Sequence, residues 1–225
     1  YLLTLVLKPR NEIIHKTVVH NMKKTLILIF GVTILQLNLS CKTQYSATEL
    51  DNNFTPEQKA DLKKITDFFK NQMCLNTDSD FKTCYEQIPH EYLEATGNGF
   101  WTNIDFEKQN ELYKQISKST IDKIWWFCKS TEYKTGKEKR CLCPNAIGEY
   151  NNYLFDLGKL NPKIEEYAHW INASGDFNPL QLLYSKISKN KRYFDLNDPN
   201  IQLILAIHYL SLNDQAKRNE KWITE

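Results

Sequence analysis

The 225-residue chain carries 29 Lys and Arg against 27 Asp and Glu, a formal charge of +2, so no global basic field argues for a nucleic-acid partner. With 41% hydrophobic residues, 12% aromatics and only seven glycines, it has the material of a packed core, which excludes a chain disordered over its whole length.

Taken in chain order, residues 1–21 read as sequence upstream of a translation start at Met22, since Met22 and Met73 are the only two methionines. They are set aside from the fold. Met22–Cys41 then reads MKKTLILIFGVTILQLNLSC: Lys23 and Lys24 form a cationic n-region, Thr25 to Leu39 is uncharged and mostly apolar, and small Ser40 precedes Cys41. A spanning helix wants about 20 apolar residues, and this run is shorter and broken by Gln36 and Asn38.

The segment resembles the signal peptide of bacterial lipoproteins. The resemblance implies that residues 22–40 are cleaved, that Cys41 carries the lipid (palmitate or a related acyl chain), and that the mature protein hangs from a membrane of the bacterial cell envelope. An outer membrane, facing periplasm or surface, is the expected location. Asn38 departs from the family, which usually has an aliphatic residue three positions before the cysteine.

Without residues 1–40 the balance becomes 24 Lys and Arg against 26 Asp and Glu. The polar stretch 41–53 reads as a tether, and 54–225 as a single domain. Its helix signals begin at Thr55-Pro56-Glu57-Gln58, an N-cap hydroxyl, a proline at the first helical position and a glutamine placed for a capping box. Leu62, Ile65, Phe69 and Met73 follow on one face. Asp78 is the expected cap of a second helix holding Phe81, Tyr85 and Ile88, which Pro89 stops.

After a Gly97-Asn98-Gly99 turn, helix resumes at Asn103 or Asp105, and Thr120 is expected to cap another helix running to about Lys129 through Ile124, Trp125, Trp126 and Cys128. Adjacent tryptophans on a helix sit about 100° apart, so one enters the core and the other lies at its margin. Ser130 to Arg140 reads as a polar loop. Further on, Pro144, Pro162, Pro179 and Pro199 mark helix starts, the last three preceded by Asn or Asp. The last helix, Ile201 to Leu212, is apolar nearly all round, as a central helix would be. The fold expected is all-α: an irregular, disulfide-supported bundle of seven to nine helices, with any strand short and confined to Phe100–Asn103 or Arg140–Cys143.

Export makes disulfides the first reading of the cysteines. Cys74 lies near the end of the first helix and Cys84 about two turns into the second, so an antiparallel helix pair is expected to join them across a short connection; Cys128 is expected to close the Ser130–Arg140 loop with Cys141 or Cys143, only one of which should face it. A metal site from Cys128, Cys141 and Cys143 is not expected, because Cys-Leu-Cys lacks the spacing of structural zinc.

Acid-base candidates are sparse. His90-Glu91-Tyr92-Leu93-Glu94 lacks the second histidine of a zinc-protease helix, and Glu166-x-x-His169 is a single copy of a motif that di-iron bundles use twice. A surface Glu166 beside a half-buried His169 is the ordinary reading, and His208 reads as a core histidine bonded to a neighbour. No cofactor or metal is expected. Trp101, Trp126 and Trp170, with Tyr153, are the aromatics suited to stacking on sugars or anchoring a protein. The function expected is therefore non-catalytic binding of a protein or glycan partner at the envelope, with an immunity-like role included; the alternative is an envelope hydrolase acting on cell-wall or glycan material through Glu91, Glu94, Glu166 or His169.

Overall fold

A computed structural model describes residues 45–74, 79–97, 99–131, 135–136 and 138–218. The expected leader, residues 22–40, and Cys41 lie outside the described residues. Ten α-helices, one 3-10 turn and one hairpin follow in order: α1 (Thr48–Asn53), α2 (Pro56–Met73), α3 (Phe81–Gln87), α4 (His90–Ala95), the 3-10 turn Phe100–Asn103, α5 (Phe106–Lys114), α6 (Lys118–Ile124), β1 (Trp125–Thr131), β2 (Glu138–Pro144), α7 (Glu149–Gly158), α8 (Pro162–Ser174), α9 (Tyr184–Lys189) and α10 (Pro199–Lys217). The fold is all-α apart from the hairpin, and its described helices outnumber the seven to nine expected. None of them is long and apolar enough to cross a membrane.

α10 is the axis. Every residue from Asn200 to Asp214 is buried, and α2, α5, the 3-10 turn and β2 pack around it. Each of its leucines and isoleucines is worth about 1.5–3 kcal/mol of burial. A helix enclosed on all sides must also satisfy its polar side chains internally. Gln202 Nε2 donates to the Leu196 carbonyl at 2.7 Å, Asn213 Nδ2 to Gln109 Oε1 at 2.8 Å, and Trp125 Nε1 to Ser211 Oγ at 2.8 Å. Asp214 takes Nε of Arg218 at 2.8 Å as well as its Nη2.

Asp61 on α2 holds the start of α6. It is buried and accepts from Ser117 N (2.9 Å), Thr120 Oγ1 (2.8 Å) and Lys64 Nζ (2.8 Å). Burial pushes its pKa up, but these hydrogen bonds outweigh it and bring the carboxyl down to about 2.

Several expectations are corrected. Ser117, not Thr120, caps α6, and the helix ends at Ile124, where the chain becomes strand. Trp125 is buried and Trp126 is 54% exposed because neighbouring strand residues point to opposite faces, not because of a helical angle. β1 pairs antiparallel with β2, from Trp125 opposite Pro144 to Thr131 opposite Glu138. Pro144 ends a strand, Pro179 lies in a turn that starts no helix, and Phe100–Asn103 is a 3-10 turn rather than strand. Asp80 caps α3; Asp78 lies outside the described residues. The expected tether is folded from Tyr45 onward: Tyr45 Oη donates to Asp195 Oδ2 at 2.7 Å, and Asn53 Nδ2 to Asp156 Oδ2 at 2.8 Å.

Cys74 bonds Cys84 and Cys128 bonds Cys143, with Cα separations of 5.2 and 5.8 Å that suit a disulfide. Strand alternation does not choose between the two later cysteines, since residues two apart share a face. Cys141 stands opposite Cys128 in the register and the bridge runs diagonally to Cys143; the side chain of Cys141 lies outside those described.

Candidate functional site

The loop Asp176–Leu183 leaves α8 through Gly175, whose φ of +64° is a left-handed conformation that other residues adopt at a cost. Phe177 and Leu182 plug it into the core, and the hydroxyl of Tyr209 on α10 donates to the Leu182 carbonyl. Between these anchors Asn178 Oδ1 accepts from Leu180 N at 2.9 Å, a local turn around Pro179 that lifts Leu180 out, 62% exposed. Leu180 lines a cleft on each side of it.

The smaller cleft, about 230 Å³, lies among α4, the 3-10 turn and α9. His90 is buried in its wall, stacked on Tyr184 with centroids 4.2 Å apart, while its Nε2 donates to the Tyr85 carbonyl at 2.7 Å. Burial lowers the His90 pKa, so the ring is neutral near pH 7. Trp101 stacks on Tyr209 at 5.7 Å and crosses Gly99, where a Cβ would come within 2.0 Å of the indole. Glu94 also lines this cleft.

The larger cleft, about 480 Å³, is bounded by α8, the loop and α9. Ile164, Tyr167, Ala168 and Ile171 bury one face of α8, and the adjoining stripe Lys163, Glu166, Trp170 turns toward the cleft. Lys163 Nζ pairs with Glu166 Oε2 at 2.8 Å, and Trp170 is 55% exposed at the rim. Gln181, from the loop, contributes an amide whose oxygen and nitrogen are both buried with no hydrogen-bond partner among the described residues.

The fold thus brings Glu166 together with Trp170 and Glu94 together with Trp101, but joins none of the acid-base candidates to another. Glu91 is exposed on α4, and Trp126 projects from β1. His169 is exposed rather than half-buried, edge-on to Phe155 at 5.0 Å, because it follows the buried Ala168 on the outer face of α8. Tyr153 is no platform: it is buried and its hydroxyl donates to Asn200 Oδ1 at 2.9 Å. His208 is a core histidine as expected, with Nδ1 3.0 Å from the Tyr167 hydroxyl. Among the described residues no group of three or more His, Cys, Asp or Glu side chains is arranged to hold a metal.

Sequence reasoning passed over Leu180 and Gln181. The Asn178-Pro179 pair was a signal for the first, since it forces a turn whose next residue is an apolar side chain at the tip; nothing local marks Gln181. No protein-family model matches the chain, and neither the curated proteins nor the solved structures contain a match to it.

Proposed function

We propose that the chain is a lipid-anchored protein of the bacterial envelope whose exported part works by binding, through the surface on either side of the Leu180 loop. The observation that carries the binding reading is the exposure of Leu180 and Trp170 around one cleft. Large apolar side chains gathered on a surface with a concave floor are the material of recognition sites. Support for the envelope reading comes from the Met22–Cys41 leader and from two disulfides in one chain, bonds that persist in oxidising compartments. Tethering by Cys41 would hold the cleft at high effective concentration near envelope partners.

Two measurements test the two halves. Fatty-acid labelling should mark the wild type and not Cys41→Ala, and equal labelling of both removes the anchor. Binding of the purified protein to envelope fragments should fall about tenfold or more for Leu180→Asp or Trp170→Ala. If both variants bind as the wild type does, the recognition surface lies elsewhere.

A further inference from the structure

The smaller cleft, beside α4, holds about 230 Å³, below the roughly 300–1,000 Å³ of sites that enclose a whole small molecule. It has room for one side chain. Leu93, Leu180 and Leu183 line it together with the rings of Phe100, Trp101 and Tyr184, and Glu94 brings the one charged group among the described lining residues. His90 shares the wall, but burial keeps its ring neutral. Glu94 stands one turn after His90 on the same face of α4, and it is partly exposed, so a group entering the cleft from solvent can reach it.

The Glu94 carboxylate has no cation of its own. On other helices a lysine three or four residues away pairs with the acid, as Lys63 does with Asp67, Lys114 with Glu111 and Lys163 with Glu166. α4 carries neither lysine nor arginine, and no ion pair or side-chain hydrogen bond joins the Glu94 carboxylate to another described residue. Its charge bears instead on the His90 ring and on the hydroxyls of Tyr85 and Tyr209 behind it. Glu91 adds a second negative charge near Tyr184, whereas Glu86 is paired with Lys191 at 3.8 Å. An anion entering here is repelled, and a purely apolar group strips water from the carboxylate without replacing it. What fits is a cation on an apolar stem, the build of arginine and lysine. Guanidinium suits the cleft better than ammonium, because it is the more weakly hydrated, packs against aromatic rings and meets a carboxylate with two parallel hydrogen bonds.

We infer that the α4 cleft receives an arginine side chain of a protein partner, its stem against Leu93, Leu180 and Leu183 and its guanidinium on the Glu94 carboxylate. The inference rests on the reading above that the Leu180 surface binds, and it names what enters one side of that surface. An arginine seated in a pocket and ringed by apolar contacts is a frequent anchor of protein interfaces, and the exposed Leu180 supplies part of that ring. Glu94 selects the charge, and the size of the cleft limits it to one side chain.

The test titrates the full-length protein with Nα-acetyl-arginine methylamide and with its citrulline counterpart, which has the same shape and no charge. Binding is followed by NMR at the indole N–H of Trp101, the resonance lost in Trp101→Phe. The arginine compound should shift it and bind about tenfold more tightly than the citrulline compound, the difference a charge-assisted hydrogen bond makes. Glu94→Gln should bring the two compounds level without lowering the melting temperature. Envelope fragments from a strain lacking the gene should be bound less by Glu94→Gln than by the wild type, and by neither after exhaustive protease digestion. Equal affinity for the two compounds, no shift at Trp101, or arginine binding unchanged in Glu94→Gln overturns the inference; a lowered melting temperature for Glu94→Gln shows that the carboxylate serves the fold and overturns it too. Fragments that Leu180→Asp fails to bind while Glu94→Gln binds them as the wild type does, or that are still bound after digestion, overturn the inference and leave the binding surface in place. Fragments bound equally by the wild type, Leu180→Asp and Trp170→Ala remove the surface reading and the inference with it.

Discussion

The hydroxyl of Tyr167 lies 3.0 Å from Nδ1 of His208, and Nε2 of the same ring has no hydrogen-bond partner among the described residues. The imidazole is fully buried, edge-on to Tyr167, Phe177 and Tyr209. Burial drives its pKa from 6.5 to about 3, so it is neutral in the folded protein over most of the pH range.

A pH dependence follows with a definite sign. Between about 3 and 6.5 the unfolded chain binds a proton that the folded chain refuses, so the stability owed to a neutral His208 is complete above 6.5 and is lost as the pH falls toward 3. Urea unfolding should show the wild type losing several kcal/mol more than His208→Gln between about pH 7 and pH 4. Parallel losses in the two proteins would show that His208 does not titrate on unfolding.

Asp61 acts lower on the scale. Its folded pKa of about 2 lies below the ordinary 3.8, so its contribution is present above 3.8 and disappears as the pH falls through 2. Asp61→Ala leaves the Ser117 amide and the Thr120 hydroxyl without their acceptor and should cost about 1–3 kcal/mol at neutral pH, read from the shift in the urea midpoint. Thr120→Val, which removes one of the three bonds, should cost less than Asp61→Ala.

Asp214 is fully buried at the end of α10, and burial raises its pKa against the pull of Arg218. Arg218→Met would strand that carboxylate, at a cost of about 3–5 kcal/mol. Adding Asp214→Leu to Arg218→Met should recover most of the loss, as two apolar side chains can replace a buried pair. Failure of the double variant to exceed the single one would show that Arg218 stabilises chiefly through its other contacts, including Phe106, 5.3 Å from the guanidinium.

The hairpin bridge closes a span of 15 residues in sequence, for which the chain-entropy account gives about 3 kcal/mol. Cys128→Ser with Cys143→Ser should lower thermal stability by an amount of that order. Peptide mapping without reductant should recover Cys74 joined to Cys84 and Cys128 joined to Cys143. Finding Cys128 joined to Cys141 instead would overturn the diagonal pairing.

Much of the helical frame was legible locally. The capping box at Thr55 and Gln58, the Pro162 and Pro199 starts, and the all-round apolar α10 are each specified by residues within a turn of one another. β1 was not, because Ile124-Trp125-Trp126-Phe127-Cys128 is a short apolar run that fits a buried helix end as well as a strand. Its state is decided by Glu138–Pro144, seven to nineteen residues away along the chain, through pairing that no local pattern encodes. Pro179 misled for the converse reason: an Asn-Pro pair serves a turn as readily as a helix start. At the clefts, Glu166 and Trp170 stand four residues apart on one helix, a spacing that places them on one face, although the sequence pattern drew attention to Glu166 with His169 instead. Gln181 and Leu180 join them only because Phe177 and Leu182 seat the loop in the core.

The bond from Tyr209 to the Leu182 carbonyl fastens the Leu180 loop to the most deeply enclosed helix among the described residues. The opening of a surface loop ordinarily costs far less than global unfolding, yet a loop hung from such an axis inherits part of the axis's own resistance. Variation between Asn178 and Gln181 would reshape the lining of the clefts without touching that fastening, whereas an insertion between Phe177 and Leu182 would force one of the two plugs out of register. The segment is therefore free to change in composition and constrained in length as far as folding goes, so a library of loop variants screened for thermal stability should tolerate substitution at Leu180 widely and reject added residues on either side of it.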